Sequence, residues 1–185
     1  MPEKFHPMPE LNFLKQQIYV DPSSPSGLRN RITRNPRALK DAVTGSNNGK
    51  GYYQVCIKGL SYSAHRIVWY LSTYLDPGFD YIDHCDGDLS NNTIENLRIT
   101  NKAGNSFNRD KPASNTSGYK GVSFRKDTGK WDVRIKANGK QICLGSYTDL
   151  EEAAKVYNEA ALAHHGSFAR LNKLESAWAR TAYQP

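Results

Sequence analysis

The sequence predicts an α+β chain built as two small domains: hairpins and helices over residues 1–110, and a three-stranded antiparallel sheet packed on one helix over residues 118–172. Three observations carry this. Apolar residues alternate at strand spacing in some runs and recur at helical spacing in others. Between Asp110 and Ser117, Pro112 and several small polar residues interrupt both patterns. Residues 111–117 are therefore expected to be a linker, and residues 173–185 a tail.

The elements follow in chain order. A short element spans Leu11 to Ile18, and turn-rich sequence runs from Asp21 to Gly27. Arg29, Arg31, Arg34, Arg37 and Lys40 read as a solvated face, with DNA contact as the alternative. After the turn signal Asn47-Asn48-Gly49-Lys50-Gly51, the residues Tyr53, Val55 and Ile57 alternate with polar ones, and Lys58-Gly59 leads into a second strand near Leu60 to Ser63. Ile67, Val68, Leu71 and Leu75 have helical spacing, so a helix is expected over Ala64 to Leu75, ended by Pro77-Gly78. Ile82 opens a further strand, Asp86-Gly87-Asp88 turns it, and Ile94, Leu97 and Ile99 anchor the return. A short helix over Asn101 to Asn108 then carries Asn105.

Beyond the linker, strand sequence from Tyr119 to Arg125 meets a hairpin turn at Asp127-Thr128-Gly129-Lys130. On the next strand Trp131, Val133 and Ile135 share one face, and Asp132, Arg134 and Lys136 share the other. The first face is core and the second mostly cationic. Asn138-Gly139 makes another tight turn, and Ile142 to Tyr147 forms a third strand. Thr148-x-x-Glu151 reads as a capping box for a helix through His165, closed by Gly166, with Ala153, Ala154, Tyr157, Ala160 and Ala161 as its buried stripe.

Composition bounds what such a chain does. With 185 residues, 38% of them hydrophobic, there is material for compact cores. A net charge of +7 and a pI of about 9.3 favour an acidic polymer as partner, because neutralised phosphates release their condensed counterions. Cys56, Cys85 and Cys143 are odd in number, far apart and without a C-x-x-C pair, which argues against a disulfide framework and a structural zinc site and fits a reducing cytoplasm. No apolar run approaches the roughly 20 residues of a membrane span, and Met1-Pro2-Glu3-Lys4 does not open a signal peptide.

The stretch Asp83-His84-Cys85-Asp86-Gly87-Asp88, continuing through Asn91, Asn92, Asn96 and Arg98 to Asn105, concentrates the chemistry. Asp83 offers a hard carboxylate oxygen suited to a small divalent cation, and His84 accepts a proton near neutral pH. A base beside a metal ligand is the minimal equipment for metal-assisted hydrolysis of a phosphodiester. Asp86 and Asp88 read as turn formers, Cys85 as packed into the hairpin, and His65 as a capping or packing group; in the bland alternative Asp83-His84 is a chance dipeptide and Asn91, Asn92 and Asn96 are mere turn residues.

This segment resembles the HNH endonucleases of the homing type, and Ala64-His65-Arg66-Ile67-Val68-Trp69 matches their usual lead-in, so the likeness runs from about Gly51 to Arg109. The resemblance implies a ββα-metal fold in which His84 is the general base and Asp83 and Asn105 hold one divalent metal. Asn96 matches the central asparagine that holds the hairpin loop and the histidine in place. Asn105 stands where the family name has a second histidine, which suggests a weak site for Mg²⁺, with Mn²⁺ able to substitute, rather than tightly held zinc.

Residues Thr116 to Asn172 resemble the Apetala-type, or ethylene-response-factor, DNA-binding domain. The matching pieces are Tyr119-Lys120-Gly121-Val122, Gly129-Lys130-Trp131, Leu144-Gly145-Ser146-Tyr147, Glu151-Glu152-Ala153-Ala154 and Gly166-Ser167-Phe168-Ala169-Arg170-Leu171-Asn172. The likeness implies that the exposed sheet face enters the major groove, with Lys120, Arg125, Lys130, Arg134 and Lys136 at or beside the contacting positions. Ser123, Arg134 and Cys143 depart from the plant pattern of Arg, Glu and Trp, so docking is carried over and plant-type base preference is not.

Together these readings predict a phage-encoded endonuclease that acts on double-stranded DNA in the cytoplasm of a bacterial host, as a monomer or homodimer, with no membrane and no small-molecule substrate. One active site per chain predicts nicking. The rivals are a catalytically silent DNA-binding regulator and an HNH nuclease of low specificity used in defence or packaging.

Overall fold

The computed structural model describes residues 6–174. The opening Met1-Pro2-Glu3-Lys4 and all but the start of the expected 173–185 tail lie outside the described residues. Helix and sheet are mixed throughout, and the chain divides into two compact units, Met1–Asn105 and Ser106–Pro185, a division ahead of the turn-rich 111–117 stretch. Among the described residues no helix is long and apolar enough to cross a membrane.

The first unit holds helix α1 (Leu11–Gln17), a ribbon of β1 (Ile18–Val20) with β2 (Leu28–Asn30), and a three-stranded sheet of β3 (Ser46–Asn47), β4 (Tyr53–Ile57) and β5 (Leu60–Ser63). Helix α2 (Ala64–Thr73) leads to a hairpin of β6 (Tyr81–His84) and β7 (Leu97–Thr100), and α3 (Lys102–Phe107) follows. Strand β4 buries Val55 and Ile57, and it turns into β5 through Lys58 and Gly59, both at positive φ. Ile67, Val68 and Leu71 of α2 meet Leu14, Leu28, Val55 and Ile82 in one core.

Helix α2 stops two residues short of the expected Leu75. Tyr74 takes the left-handed conformation (φ 62°) and donates its N–H to the carbonyl of Tyr70, while the Thr73 hydroxyl donates to Trp69 O and accepts the N–H of Leu75. The last turn is thereby closed, and Leu75 is left 64% exposed, outside the apolar stripe. Cys85, expected to pack into the hairpin, is also exposed. Its N–H donates to Asn96 O at the end of β6, and alternation past the buried His84 turns its side chain outward.

The second unit orders β8 (Val122–Arg125), β9 (Lys130–Ala137) and β10 (Lys140–Tyr147) as an antiparallel sheet with β9 in the middle. Asn138 and Gly139, both at positive φ, turn β9 into β10, and a bulge interrupts the ladder between Cys143 and Gly145. Helix α4 (Leu150–His165) buries Ala153, Ala154, Tyr157 and Ala161, with Ala160 half-buried beside them. Its cap corrects the sequence expectation: the Asp149 carboxylate, not Thr148, accepts the N–H of Glu152 at 2.7 Å. Asp149 sits at the position where a carboxylate both satisfies an orphan N–H and meets the positive end of the helix dipole. Gly121 sits where no side chain fits, since a Cβ there would lie 2.1 Å from the Tyr157 ring at a φ of +76°.

Candidate active site

The β6–β7 hairpin presents the site. Arg66 of α2 donates to the carbonyls of Gly78 (2.6 Å) and Asp80 (2.8 Å), tying down the loop that feeds β6. Asp83 and His84 follow at the end of that strand, both buried, opposite Arg98 and Leu97. They line one cleft of about 260 Å³ together with Asn105 of α3, Tyr52, His65 and Arg66.

Each of these groups has defined partners. Arg98 donates Nε (3.0 Å) and Nη2 (2.7 Å) to Oδ2 of Asp83. Nε2 of His84 lies 2.9 Å from Oδ1 of Asn92, whose Nδ2 donates to Ser26 O at 3.1 Å. With its amide so oriented, Asn92 accepts the Nε2 hydrogen of His84, and the basic lone pair resides on Nδ1. Gly27, at a φ of +77°, leaves room for Asn92, because a Cβ there would sit 3.0 Å from the Cβ of Asn92.

Asn96 is buried in the adjoining loop rather than among the residues that line the cleft. Its amide donates to Asp86 Oδ1 (2.9 Å) and Asn91 O (2.8 Å) and accepts the Asp86 N–H (3.0 Å). Burial by itself would lift the Asp86 carboxyl. Hydrogen bonds from Asn91, the Asp88 amide and Asn96 outweigh it and hold the group below the usual carboxylate range. Asp86 and Asp88 each accept a backbone N–H two residues on, the geometry of turn formers.

His65 is the second residue of α2 and packs edge-on to His84, with ring centroids 5.1 Å apart, and against Tyr52 at 5.7 Å. Burial first, then the neighbouring His84 and Arg66, push its imidazole down to about 3. His65 is thus neutral at working pH, which spares His84 a cationic neighbour.

Asp83 and Asn105 supply hard oxygen donors to the same cleft, a set suited to a small divalent cation that keeps most of its shell as water and phosphate. Among the described residues no group of three or more His, Cys, Asp or Glu side chains is placed to hold a metal ion. The donor set fits a divalent cation that keeps solvent ligands rather than an all-protein cage, and the Arg98 guanidinium on Asp83 would share that carboxylate with the ion.

In the second unit Arg125, Lys130, Arg134 and Lys136 are exposed on β8 and β9. Asp132 lies buried beside them, accepting from Ser146 Oγ (2.6 Å) and Arg134 Nη2 (3.3 Å), with Arg125 Nε at 3.8 Å. Lys120 stands apart. Its ammonium donates to the carbonyls of Phe107 (2.6 Å) and Arg109 (2.5 Å), and the Phe107 ring stacks on His165 with centroids 3.9 Å apart. Burial, and then the charge of Arg170, lower Lys120 to about 8.

Sequence reasoning gave Arg98 no role of its own, saw Asn92 at most as a turn residue, and did not single out Tyr52. The hairpin register offered a signal for Arg98, which falls opposite Asp83. Asn92 had none, because its second partner, Ser26, is 66 residues away.

Comparison with known proteins places this arrangement. The HNH endonuclease family model matches residues 62–107, a span that contains α2, the hairpin and α3. The chain is similar to Protein 3.8 of Escherichia phage T7, 40% identical over 107 residues that cover 58% of this chain and 88% of that protein. It is also similar to an uncharacterized HNH endonuclease, L560, of Acanthamoeba polyphaga mimivirus, 30% identical over 128 residues, 69% of this chain and 66% of the relative. APETALA2-like protein 2 of Oryza sativa subsp. indica is 39% identical over 61 residues, 33% of this chain but 14% of the plant protein. No solved structure matches the chain. The chain belongs to the HNH endonuclease family. Membership makes it a nuclease with DNA as substrate, and HNH nucleases generally use a divalent metal.

Proposed function

We propose that the chain is a metal-dependent, phage-encoded DNA endonuclease of the homing type, which nicks one strand at a recognised site in the cytoplasm of a bacterial host. The observation that carries this reading is the shared cleft, in which Asp83 and His84, consecutive on β6, stand with Asn105. His84 takes a proton from the attacking water at Nδ1, since Nε2 is committed to Asn92. Asp83 and Asn105 would hold Mg²⁺, for which Mn²⁺ could substitute, and the ion would supply charge stabilisation for phosphodiester hydrolysis when bound. Asn96 keeps the 86–91 loop closed behind the histidine. One base and one ligand pair per chain serve one strand, so double-strand cleavage needs a homodimer or two successive events.

In the same reading residues 1–110 are the ββα-metal nuclease domain, 111–117 the linker and 118–172 an Apetala-type domain that lays its sheet in the major groove of double-stranded DNA. The exposed Arg125, Lys130, Arg134 and Lys136 support this, as does the partial similarity to plant APETALA2-like proteins. Lys120 enters as a residue that orders the start of the domain and leaves DNA contact to the other four.

The test is nicking of supercoiled phage DNA by wild type and His84→Ala, with Mg²⁺ or Mn²⁺ and with chelator. Metal-dependent nicking by wild type, lost in the variant while affinity is kept, is the expected result. A variant that keeps most of its rate moves the base elsewhere, and binding without nicking under every condition makes the chain a regulator. Direct linear product at single-turnover protein concentration overturns nicking.

A further inference from the structure

Asp132 is out of place in a surface whose task is to attract phosphate. It lies on the central strand between Ser123 and Ser146, only 3% exposed, and takes a negative charge into the middle of a cationic face. Its contacts are divided by oxygen: Oδ1 accepts from Ser146 Oγ, while Oδ2 faces both Nη2 of Arg134 and Nε of Arg125. Arg125 is held chiefly by Asp127, which accepts its Nε and Nη2 at 3.1 and 2.5 Å, so its one Nε–H is already donated and Asp132, at 3.8 Å, meets it only as a nearby charge. The two arginines are otherwise half exposed, so without these carboxylates their side chains would sample many rotamers.

From this geometry we infer that Asp132 is a positioning residue for base readout: anchored by Ser146, it holds Arg134 as a preset fork for a guanine edge, beside an Arg125 that Asp127 orients. The inference rests on the reading that the sheet docks on DNA. An arginine read out as a fork gains discrimination only if both donors are oriented, and ordering it before docking removes an entropic cost from the specific complex. Phosphate attraction needs no such orientation and is weakened by a carboxylate nearby. Asp132 therefore trades general affinity for discrimination.

The experiment uses the full chain with His84→Ala, so that DNA stays intact, and a duplex selected by that protein from a random-sequence pool. The readout is the ratio of affinities for the selected duplex and a scrambled one. Asp132→Asn is expected to lower the ratio tenfold or more, with affinity for the scrambled duplex unchanged or raised and the salt dependence kept. Arg134→Lys, an exposed change that keeps the charge, is expected to lower the ratio similarly, and Asp132→Asn is expected to add little to it. A ratio preserved in either variant overturns the role of Asp132 while leaving sheet docking intact. If the parent protein selects no preferred duplex, the docking reading falls and the inference falls with it.

Discussion

Arg98 places both Nε and Nη2 on a single oxygen of Asp83, at 3.0 and 2.7 Å, from the directly opposite position of the β6–β7 hairpin. The pair is largely out of water, with side chains 19% and 7% exposed, so removing one partner strands a buried charge. Arg98→Ala is expected to cost about 3 kcal/mol in metal-free buffer, at the low end for buried pairs because the guanidinium keeps some solvent. Urea unfolding with chelator present measures it, and Asp83→Asn in the Arg98→Ala background should recover part of the loss. A cost below about 1 kcal/mol would mark the pair as screened like a surface bridge.

Asn92 is hydrogen-bonded to His84: its amide spans from Ser26 O to the imidazole, so Asn92→Ala removes the contact that fixes Nε2. The nicking rate at saturating DNA is expected to fall by about 10- to 100-fold, as misplacement of a reacting group by an ångström does, with little change in KM. Single-turnover kinetics resolve the two. Loss confined to KM would mean that Asn92 serves binding instead.

The pH dependence of stability should report His65. An imidazole titrates near 6.5 in the unfolded chain, and in the folded protein it is held down to about 3. Between those values the unfolded state binds the extra proton, so stability is complete above about pH 6.5 and falls by up to about 1.4 kcal/mol per unit as pH drops. His165, also shifted down by burial, adds a slope of the same sign, whereas the lowered carboxyls of Asp21, Asp86 and Asp88 act only at more acid pH. Thermal unfolding from pH 7 to 5 should therefore be flatter for His65→Phe than for wild type. Equal slopes would show that His65 is hydrated in solution.

What the sequence made legible is local. Ile67, Val68 and Leu71 announce α2 by spacing, Lys58-Gly59 and Asn138-Gly139 announce turns by residue type, and Asp83 and His84 are adjacent in the chain. Features set by competition between neighbours were harder to see. Thr148 and Asp149 are both good caps, and only the first hydrogen-bonded turn decides for Asp149. Leu75 fits the stripe by count, but Tyr74 closes the helix before it. Long-range polar contacts left no trace at all: the Asn92–Ser26 bridge and the paired hydrogen bonds from Lys120 to the carbonyls of Phe107 and Arg109 join residues that no periodicity links.

The sheet face makes a separate prediction in which two neighbouring cations do different work. Arg134 is tethered to Asp132, whereas Lys136, two residues on, is exposed at the partner position of Gln141. A point charge on a flexible stem suits a phosphate; a tethered fork suits a base edge. Each phosphate contact removed should lessen the slope of log Kobs against log salt by about 0.9. The double variant Arg134→Ala with Lys136→Ala is therefore expected to weaken binding while making that slope shallower by about 1, not about 2. Lys136→Ala alone should account for nearly all of the slope change and Arg134→Ala alone for most of the lost preference between duplexes. Fluorescence anisotropy across a salt series measures both. Unchanged affinity in the double variant would remove the sheet face from the docking surface, and a slope change of about 2 would make Arg134 a phosphate contact.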